Sequence, residues 1–594
     1  MKLSSLKVKP ALLKSDFIAG LTVALILIPQ SLAYAQLAGL PPQFGLYAAL
    51  LPPFIAAFFG SSKQLATGPV AVLSLMTASS LSVIYTPGTP DYISAAIFLA
   101  LLLGIFQLFL GFIKFGGLIS FLSHPVIYGF TNAAALIIAT TQLPKFFGVS
   151  VASHEHHYET VIAVINAALK NTDIVTLLLG LWAIYAMYTF RKVNKKLPIV
   201  LLTVVLATLL SLFMNYQGAV IGTVPKGLPL LALPKLDFQI LSALLPTIIT
   251  IGIIGFTEAV SIAQAISVKT KEPVNPNKEL MGQGLANIFG SLLQSYPTAG
   301  SFSRSAVNFQ AGAKTGLSSF FTSLTVFITL LFFTGLLYHI PQVVLAAVIV
   351  FSVSGLIDFK KLKHIWYTNP YDGIAAVITF FGTIYFAPHL EKGIILGVVF
   401  SIGYYLYRSM HPRIVFLSKF KDGALHDAKR FSMDRCNNIA VVRLDAPLFF
   451  ANAKYFEEEI VNDLAENKEL RDILLIATGI NHIDATGEEK LKSLFENMKS
   501  AGKSLYFSEV KAPIIQLLKK TGLYEEIHPD HFFNKSDEAI RYIIHKLEKN
   551  NAHTDKEKCP LQKYSKLHDA EKASIKDKRE TVAYFYHKLR LHKN

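Results

Sequence analysis

Apolar runs long enough to cross a hydrocarbon core of roughly 30 Å begin at Phe17 and recur to about Arg408, broken at charged or Pro/Gly-rich points. Uninterrupted runs cover residues 92–112, 174–190, 197–214, 243–266, 316–337 and 372–387. Two others, 66–80 and 298–312, are short and interrupted. Counting such segments as half-spans predicts about fourteen crossings, although about twelve fit the hydropathy nearly as well. Past residue 412 the pattern changes. Short apolar runs at 438–444, 472–477 and 504–508 alternate with amphipathic stretches at 453–466, 487–501 and 513–521. Alternating strand and helix signals predict an α/β sheet domain.

Composition sharpens the division. Of 594 residues, 52% are hydrophobic and 16% charged, against about 25% charged in ordinary soluble proteins. Up to His411 the chain carries 24 Lys and Arg against 12 Asp and Glu, and beyond it 32 against 28. Charge density more than doubles there. The expected organisation is a cytoplasmic segment over 1–16, a transmembrane transport domain over 17–411, a regulatory α/β domain over 412–548 and a charged, flexible tail over 549–594.

The net charge of +16 is a topological signal. With fourteen spans and an inside N-terminus, the even-numbered connections hold Lys63, Lys114, Arg191, Lys192, Lys195, Lys196, Lys269, Lys271, Lys278, Lys314, Lys360, Lys361 and Lys363. The odd ones hold Lys145, Lys170, Lys226, Lys235 and Lys392. Basic residues collect on the cytoplasmic side, so both termini are placed in the cytoplasm and nucleic acid is not needed to explain the charge. Lys2, Lys7, Lys9 and Lys14 followed by an apolar run ending in Ala33-Tyr34-Ala35 imitate a secretory signal. The charged stretch is long and Pro29-Gln30 interrupts the core, so an uncleaved first span is expected.

Only two cysteines occur, Cys436 and Cys559, which excludes a disulfide framework and fits a reducing compartment. Neither has metal-ligand spacing to a nearby His. Both read as structural or incidental, and no metal or cofactor is expected. No nucleophile elbow, phosphate-binding Gly loop or metal motif points to an enzyme.

In lipid, polar or non-helical backbone is tolerated only where protein or a water-filled cavity covers it, so interruptions within spans are where chemistry is sought. In Ile28-Pro-Gln-Ser-Leu-Ala-Tyr-Ala35, Gln30 and Tyr34 lie one turn apart on one helix face. Ala66-Thr-Gly-Pro-Val-Ala-Val72 places Gly-Pro at the opening of a short apolar stretch, where Pro suits a first helical turn. Tyr296-Pro-Thr-Ala-Gly-Ser-Phe-Ser-Arg-Ser305 again puts Thr and Gly ahead of a short helix. Two interrupted segments so far apart are the trace inverted transporter repeats leave in a sequence. If they are half-helices meeting near the bilayer midplane, their first-turn N–H groups and dipoles attract anions. Ser301 and Ser303 add hydroxyls, and Arg304 adds a permanent charge, costly in the membrane without a counterion or water. Internal pairing of Arg304 with a carboxylate is the structural alternative.

Glu258 is the one carboxylate read as lying well inside a span, and such an acid is a functional candidate. It could carry a proton, coordinate sodium or neutralise Arg304; proton coupling is favoured. His124-Pro125 reads as a hydrogen-bonded structural pair, and His154-Glu155-His156-His157 as a solvated outside loop.

The segments IPQSLAYAQLAGLPPQFGLYAALLPP, GPVAVLSLM and PTAGSFSRSAVNFQAGAKT resemble the SulP (sulfate permease) anion transporters over nearly the whole chain. The resemblance implies fourteen spans in two inverted repeats of seven, a C-terminal STAS domain and a homodimer. It implies a substrate site of Gln30, Tyr34, Val70, Ser303 and Arg304. Val70 enters through the resemblance alone, and it is smaller than the aromatic residue of some relatives. Substrates of the family are sulfate, bicarbonate, chloride and dicarboxylates, coupled to protons or sodium or exchanged. Retention of Arg304 and Glu258 resembles proton-coupled sulfate members, expected in a bacterial inner membrane. Ile483-Asp-Ala-Thr-Gly487 resembles the STAS loop that carries a phosphorylatable hydroxyl. Thr486 is therefore a regulatory candidate, with helix N-capping as its commoner role.

Overall fold

Every uninterrupted apolar run of the sequence is a helix in the structure, a computed structural model that describes residues 10–116, 123–152, 154, 156–193, 198–550, 552–553 and 558–563. The runs become Pro90–Phe112, Ile174–Val193, Ile199–Phe213, Leu241–Thr270, Leu317–Ile328 and Pro370–Phe386. Local chemistry sets several boundaries. Pro90 and Pro370 occupy first turns, where the missing N–H costs nothing, and the preceding Thr89 and Asn369 cap the helices by accepting from the Tyr92 and Tyr371 amides. Among the described residues, eight helices are long and apolar enough to cross a membrane, and Gln43–Phe59, Ala71–Leu81 and Ile199–Phe213 are shorter apolar segments.

The chain divides into two compact units at Ile402, within the helix Leu390–Met410. In the first unit the long helix Pro10–Leu37, with Pro29 inside it, buries Leu27, Leu32, Ala33 and Ala35 in the main apolar core. Helices Pro90–Phe112 and Pro276–Leu292 cross at glycines. A Cβ on Gly104 would lie 2.7 Å from the Gly284 carbonyl oxygen, and one on Gly284 2.7 Å from the Leu108 amide nitrogen. Small residues let membrane helices approach to backbone contact. Gly104→Leu must therefore push the helices apart at an overpacking cost of about 1–3 kcal/mol or more. We expect a lower thermal midpoint in detergent-solubilised protein; an unchanged midpoint would show that the backbones are not in contact.

Two further acids, Glu279 and Asp16, are buried in this unit, near helix ends rather than well inside a span. Glu279 accepts from the Ser61 and Ser62 amides at 2.9 and 3.0 Å, and Asp16 from the Lys314 and Thr315 amides at 2.6 and 3.1 Å. Both sit at helix ends and satisfy loop amides, a role that hydropathy does not reveal. Of the histidine cluster, His154 and His156 lie outside helix and strand, while His157 opens the helix His157–Asn171 and its Nε2 lies 2.8 Å from Thr140 Oγ1. Glu155 lies outside the described residues.

The second unit carries a six-stranded sheet of β3 (Ile414–Lys419), β4 (Leu425–Asp427), β5 (Ile439–Leu444), β6 (Asp472–Ile476), β7 (Ser504–Ser508) and β8 (Phe532–Phe533), the labels β1 and β2 belonging to two short strands of the first unit. Its order is β4-β3-β5-β6-β7-β8. The β5, β6, β7 and β8 pairings are parallel, while β3 pairs antiparallel with both β4 and β5. Helices Ala453–Glu466, Ala485–Ser500 and Ala512–Thr521 bury Phe456, Ile460, Leu491, Leu494 and Leu518 with Val442, Leu475 and Phe507 of the sheet. A second apolar cluster joins Ile540, Ile543 and Leu547 of helix Ser536–Lys549 to Val441, Leu474 and Tyr506.

Two expectations change here. Thr486 is exposed in the first turn of Ala485–Ser500, and the cap is Asp484, whose Oδ1 accepts from the Gly487 amide at 2.8 Å. Asp484, two residues earlier, takes the N-cap position and leaves Thr486 inside the helix. The stretch expected to be a loosely held tail also has anchored residues, since His553, Cys559 and Leu561 are buried. Its charged average conceals the few apolar and thiol side chains that join the second cluster. Residues 564–594 lie outside the described residues.

Candidate functional site

The two interrupted segments meet. β1 (Thr67–Gly68) pairs antiparallel with β2 (Ala299–Gly300), Thr67 opposite Gly300 and Gly68 opposite Ala299. Beyond the strands, the Ser301 amide donates to the Ala66 carbonyl at 2.9 Å, and the Ala66 amide donates to Ser305 Oγ at 2.8 Å. Each strand runs into a short helix, Ala71–Leu81 after β1 and Phe302–Gln310 after β2. Because the strands are antiparallel, the helices leave in opposite directions with their N-terminal ends at the crossing. Gly68 adopts φ +150°, a conformation that glycine alone takes readily. Pro69 precedes the N-cap Val70 and so lies outside the helix, where a first-turn proline had been expected.

Neither N-cap supplies a side-chain acceptor: Val70 has none to offer, and Ser301 makes no capping bond. First-turn amides of both helices are therefore left facing the crossing, each end carrying about half a positive charge. Arg304, in the first turn of Phe302–Gln310, is 1% exposed. Its Nη1 reaches Gln30 Oε1 at 3.4 Å, a long contact, while Nε and Nη2 have no partner among the described residues. A Cβ on Gly68 would stand 3.4 Å from Nη2, so the guanidinium lies against the first crossing strand. Neither Glu258 nor any other described carboxylate lies within ion-pair distance of Arg304, and the pairing alternative is not realised.

Gln30 and Tyr34 share a helix face as expected and converge on Ser352, of the helix Gln342–Ser354. Gln30 Nε2 donates to Ser352 Oγ at 3.3 Å, Ser352 Oγ donates on to the Val348 carbonyl at 2.7 Å, and the Tyr34 hydroxyl bonds Ser352 as well. This chain of donors turns the Gln30 carbonyl toward Arg304. Val70 and Ser301 are buried. Ser303 is exposed, with its Oγ 3.5 Å from Ser301 Oγ, so it is the outermost of the expected group. Glu258, half-buried in Leu241–Thr270, interacts electrostatically with Arg304 and makes no hydrogen bond or ion pair with any described residue.

Sequence reasoning missed the residues that hold the crossing in place. Gln283 Nε2 donates to Thr67 Oγ1 at 2.9 Å, and Asn287 Oδ1 accepts from the Thr298 amide at 2.8 Å. Helix Pro276–Leu292 thus braces both strands with two amides one turn apart, a polar pair in a buried helix that could have served as a signal. Ser352, a small hydroxyl in a mostly apolar helix, left none. Tyr296, wholly buried, meets Ser74 Oγ at 3.1 Å and ties the approach to β2 to the opposite half-helix.

Long apolar helices packed around two half-helices that meet N-terminus to N-terminus, with a separate α/β sheet unit following, define a polytopic membrane transporter. Residues 13–379 match the sulfate permease family, and residues 430–539 match the STAS domain. The chain belongs to the sulfate permease family and carries a C-terminal STAS domain. Probable sulfate transporter 4.2 of Arabidopsis thaliana is 36% identical over 90% of this chain and 81% of its own length. The chloroplastic sulfate transporter 4.1 of the same plant is 35% identical over 91% and 81%. Among solved structures, the murine Slc26a9 anion transporter in the inward-facing state superposes with a TM-score of 0.82 at 23% identity, covering 91% of this chain and 93% of that one. The transmembrane domain of the cyanobacterial bicarbonate transporter BicA superposes with a TM-score of 0.56 at 23% identity, over 66% and 97%. These last two show the fold. The expected bacterial inner membrane finds no support in the two plant relatives.

Proposed function

We propose that this chain is a secondary active transporter of sulfate, carried with a proton and held between the half-helices Ala71–Leu81 and Phe302–Gln310. The observation that carries this reading is Arg304, buried with two guanidinium nitrogens unpartnered among the described residues beside two helix N-termini without side-chain caps. Two helix ends at about half a charge each, together with the guanidinium, present about two positive charges. A divalent oxyanion matches that sum, and its four oxygens suit several converging donors. Gln30, Tyr34, Val70, Ser301 and Ser303 shape the cradle. Glu258 stands beside it with no hydrogen-bond or ion-pair partner among the described residues, and its ionised form would cancel one of those charges. A bound proton removes that cancellation, so sulfate and proton favour each other's occupancy.

A sodium-dependent bicarbonate or dicarboxylate transporter, or an exchanger or channel, is the alternative reading. Proteoliposomes given labelled sulfate, bicarbonate or a dicarboxylate, with and without sodium and at two pH values, separate these. We expect uphill sulfate accumulation when the outside is acidic, indifferent to sodium. Dissipative flux whose reversal potential follows the anion alone would sink coupled transport. Thr486, exposed at the start of its helix, is the position proposed for regulatory phosphorylation, and intact-mass analysis of protein from its native host tests it.

A further inference from the structure

We propose that Cys436, His553 and Cys559 form a zinc site in the C-terminal unit. Their candidate ligand atoms all lie within 4.8 Å of one another, with Cys436 Sγ 4.0 Å from His553 Nε2. Zinc takes sulfur at about 2.3 Å and imidazole nitrogen at about 2.0 Å, which puts tetrahedral ligands roughly 3.3–3.8 Å apart. Contraction by no more than roughly 1.5 Å would close the set around an ion.

Three observations point to a ligand rather than to ordinary core packing. First, the two sulfurs are hydrogen-bonded to each other, and backbone amides converge on both. The amides of Asn438 and Ile439 donate to Cys436 Sγ, and those of Leu561 and Gln562 to Cys559 Sγ. In each case the donors follow two and three residues after the cysteine, so two separate loops are shaped alike around a sulfur. Second, His553 is only 7% exposed, yet its Nδ1 has no partner among the described residues. A buried imidazole with an unbonded nitrogen is costly, and the ring's other nitrogen, Nε2, is directed at Cys436 Sγ. Third, the surroundings are apolar, with Val415, Ile439, Ile543 and Leu561 in the same cluster. Two thiolates, a neutral imidazole and a divalent ion sum to zero charge, the arrangement cheapest to bury there. A monovalent ion would leave a net negative charge in the same place.

The consequence is a clamp. Cys436 lies just upstream of β5 (Ile439–Leu444), whereas His553 and Cys559 follow the helix Ser536–Lys549. An ion shared among them ties the C-terminal segment to the sheet, with two thiol protons released to solvent on loading. Three protein ligands leave one coordination position for water or another donor, so the ion is held less tightly than in a closed four-ligand site and its occupancy follows the zinc supply.

The test uses the full chain, purified in detergent from zinc-supplemented cells and freed of loose metal by gel filtration. We expect about one zinc per chain by elemental analysis, lost in C559S and in H553A. Replacement by cobalt should give the near-ultraviolet sulfur-to-cobalt charge-transfer band in the native chain. If the variants fail to fold, that band in the native chain alone decides. Three results would overturn the proposal: no retained metal with both thiols open to alkylation, a Cys436–Cys559 disulfide in unreduced protein, or zinc retained unchanged in a C436S/C559S double variant.

Discussion

Arg304→Ala should abolish sulfate binding while leaving the protein folded and about as stable as the native chain. In most buried charge networks, truncating one member strands the other at a cost of several kcal/mol. Here the arrangement is reversed. Arg304 is already the stranded group, touching Gln30 at 3.4 Å and leaving Nε and Nη2 unsatisfied. Removing it takes a poorly compensated charge out of the interior, which offsets the cavity left by a large, fully buried side chain. Binding loses its one full positive charge. Loss of a buried charged partner costs about 2–5 kcal/mol, so the affinity for sulfate should fall by at least about 30-fold. Radioligand binding to solubilised protein, with a thermal melt on the same sample, reads both quantities. Unchanged affinity would remove Arg304 from the anion site. A collapsed melt would assign it a structural role.

Glu258→Gln is expected to separate binding from coupling. The amide keeps the size of the carboxylic acid but cannot give up a proton, and the native carboxyl makes no hydrogen bond or ion pair with any described residue that the change would break. Sulfate binding should persist near the native affinity, because the positive charge at the crossing is no longer opposed. Accumulation driven by an imposed pH gradient should disappear, and the remaining exchange should be flat between two pH values. Asp16 and Glu279 supply the contrast. Each is consumed by two backbone amides, so Glu279→Gln should damage folding without selectively removing pH dependence. Gradient-driven accumulation in the Glu258→Gln protein with native pH dependence would move the coupling site elsewhere.

The two predictions rest on features that were unequally visible. Arg304 announced itself, because a permanent charge among apolar and small residues is conspicuous on any reading. So did Gln30 and Tyr34, one turn apart beside a proline. The contrast among the three acids was not visible. Glu258 lies in the middle of a long apolar run, whereas Asp16 and Glu279 stand near helix ends and were passed over, yet all three are at least partly buried. Whether a carboxylate meets amides or nothing depends on loops hundreds of residues away. The same holds for Thr486, whose local motif suggested a cap until Asp484 was seen to occupy that position.

Local pattern alone determined the helical runs, the change of character near residue 412, the alternation of strand and helix beyond it, and the two broken segments with Ser301, Ser303 and Arg304 at the start of the second; Val70 was added by the family resemblance. Hydropathy, turn chemistry and helix periodicity are properties of consecutive residues, so a linear reading reaches them. Tertiary structure alone decided that Thr67 lies opposite Gly300 and Gly68 opposite Ala299. It also brought Ser352 to Gln30, Gln283 and Asn287 to the crossing strands, and His553 to two cysteines that looked unrelated. Such meetings come from packing summed over the whole chain, where no single segment carries the information. The cradle's donors were thus legible one by one, while their convergence on one place followed from the antiparallel pairing that sets two helix N-termini face to face.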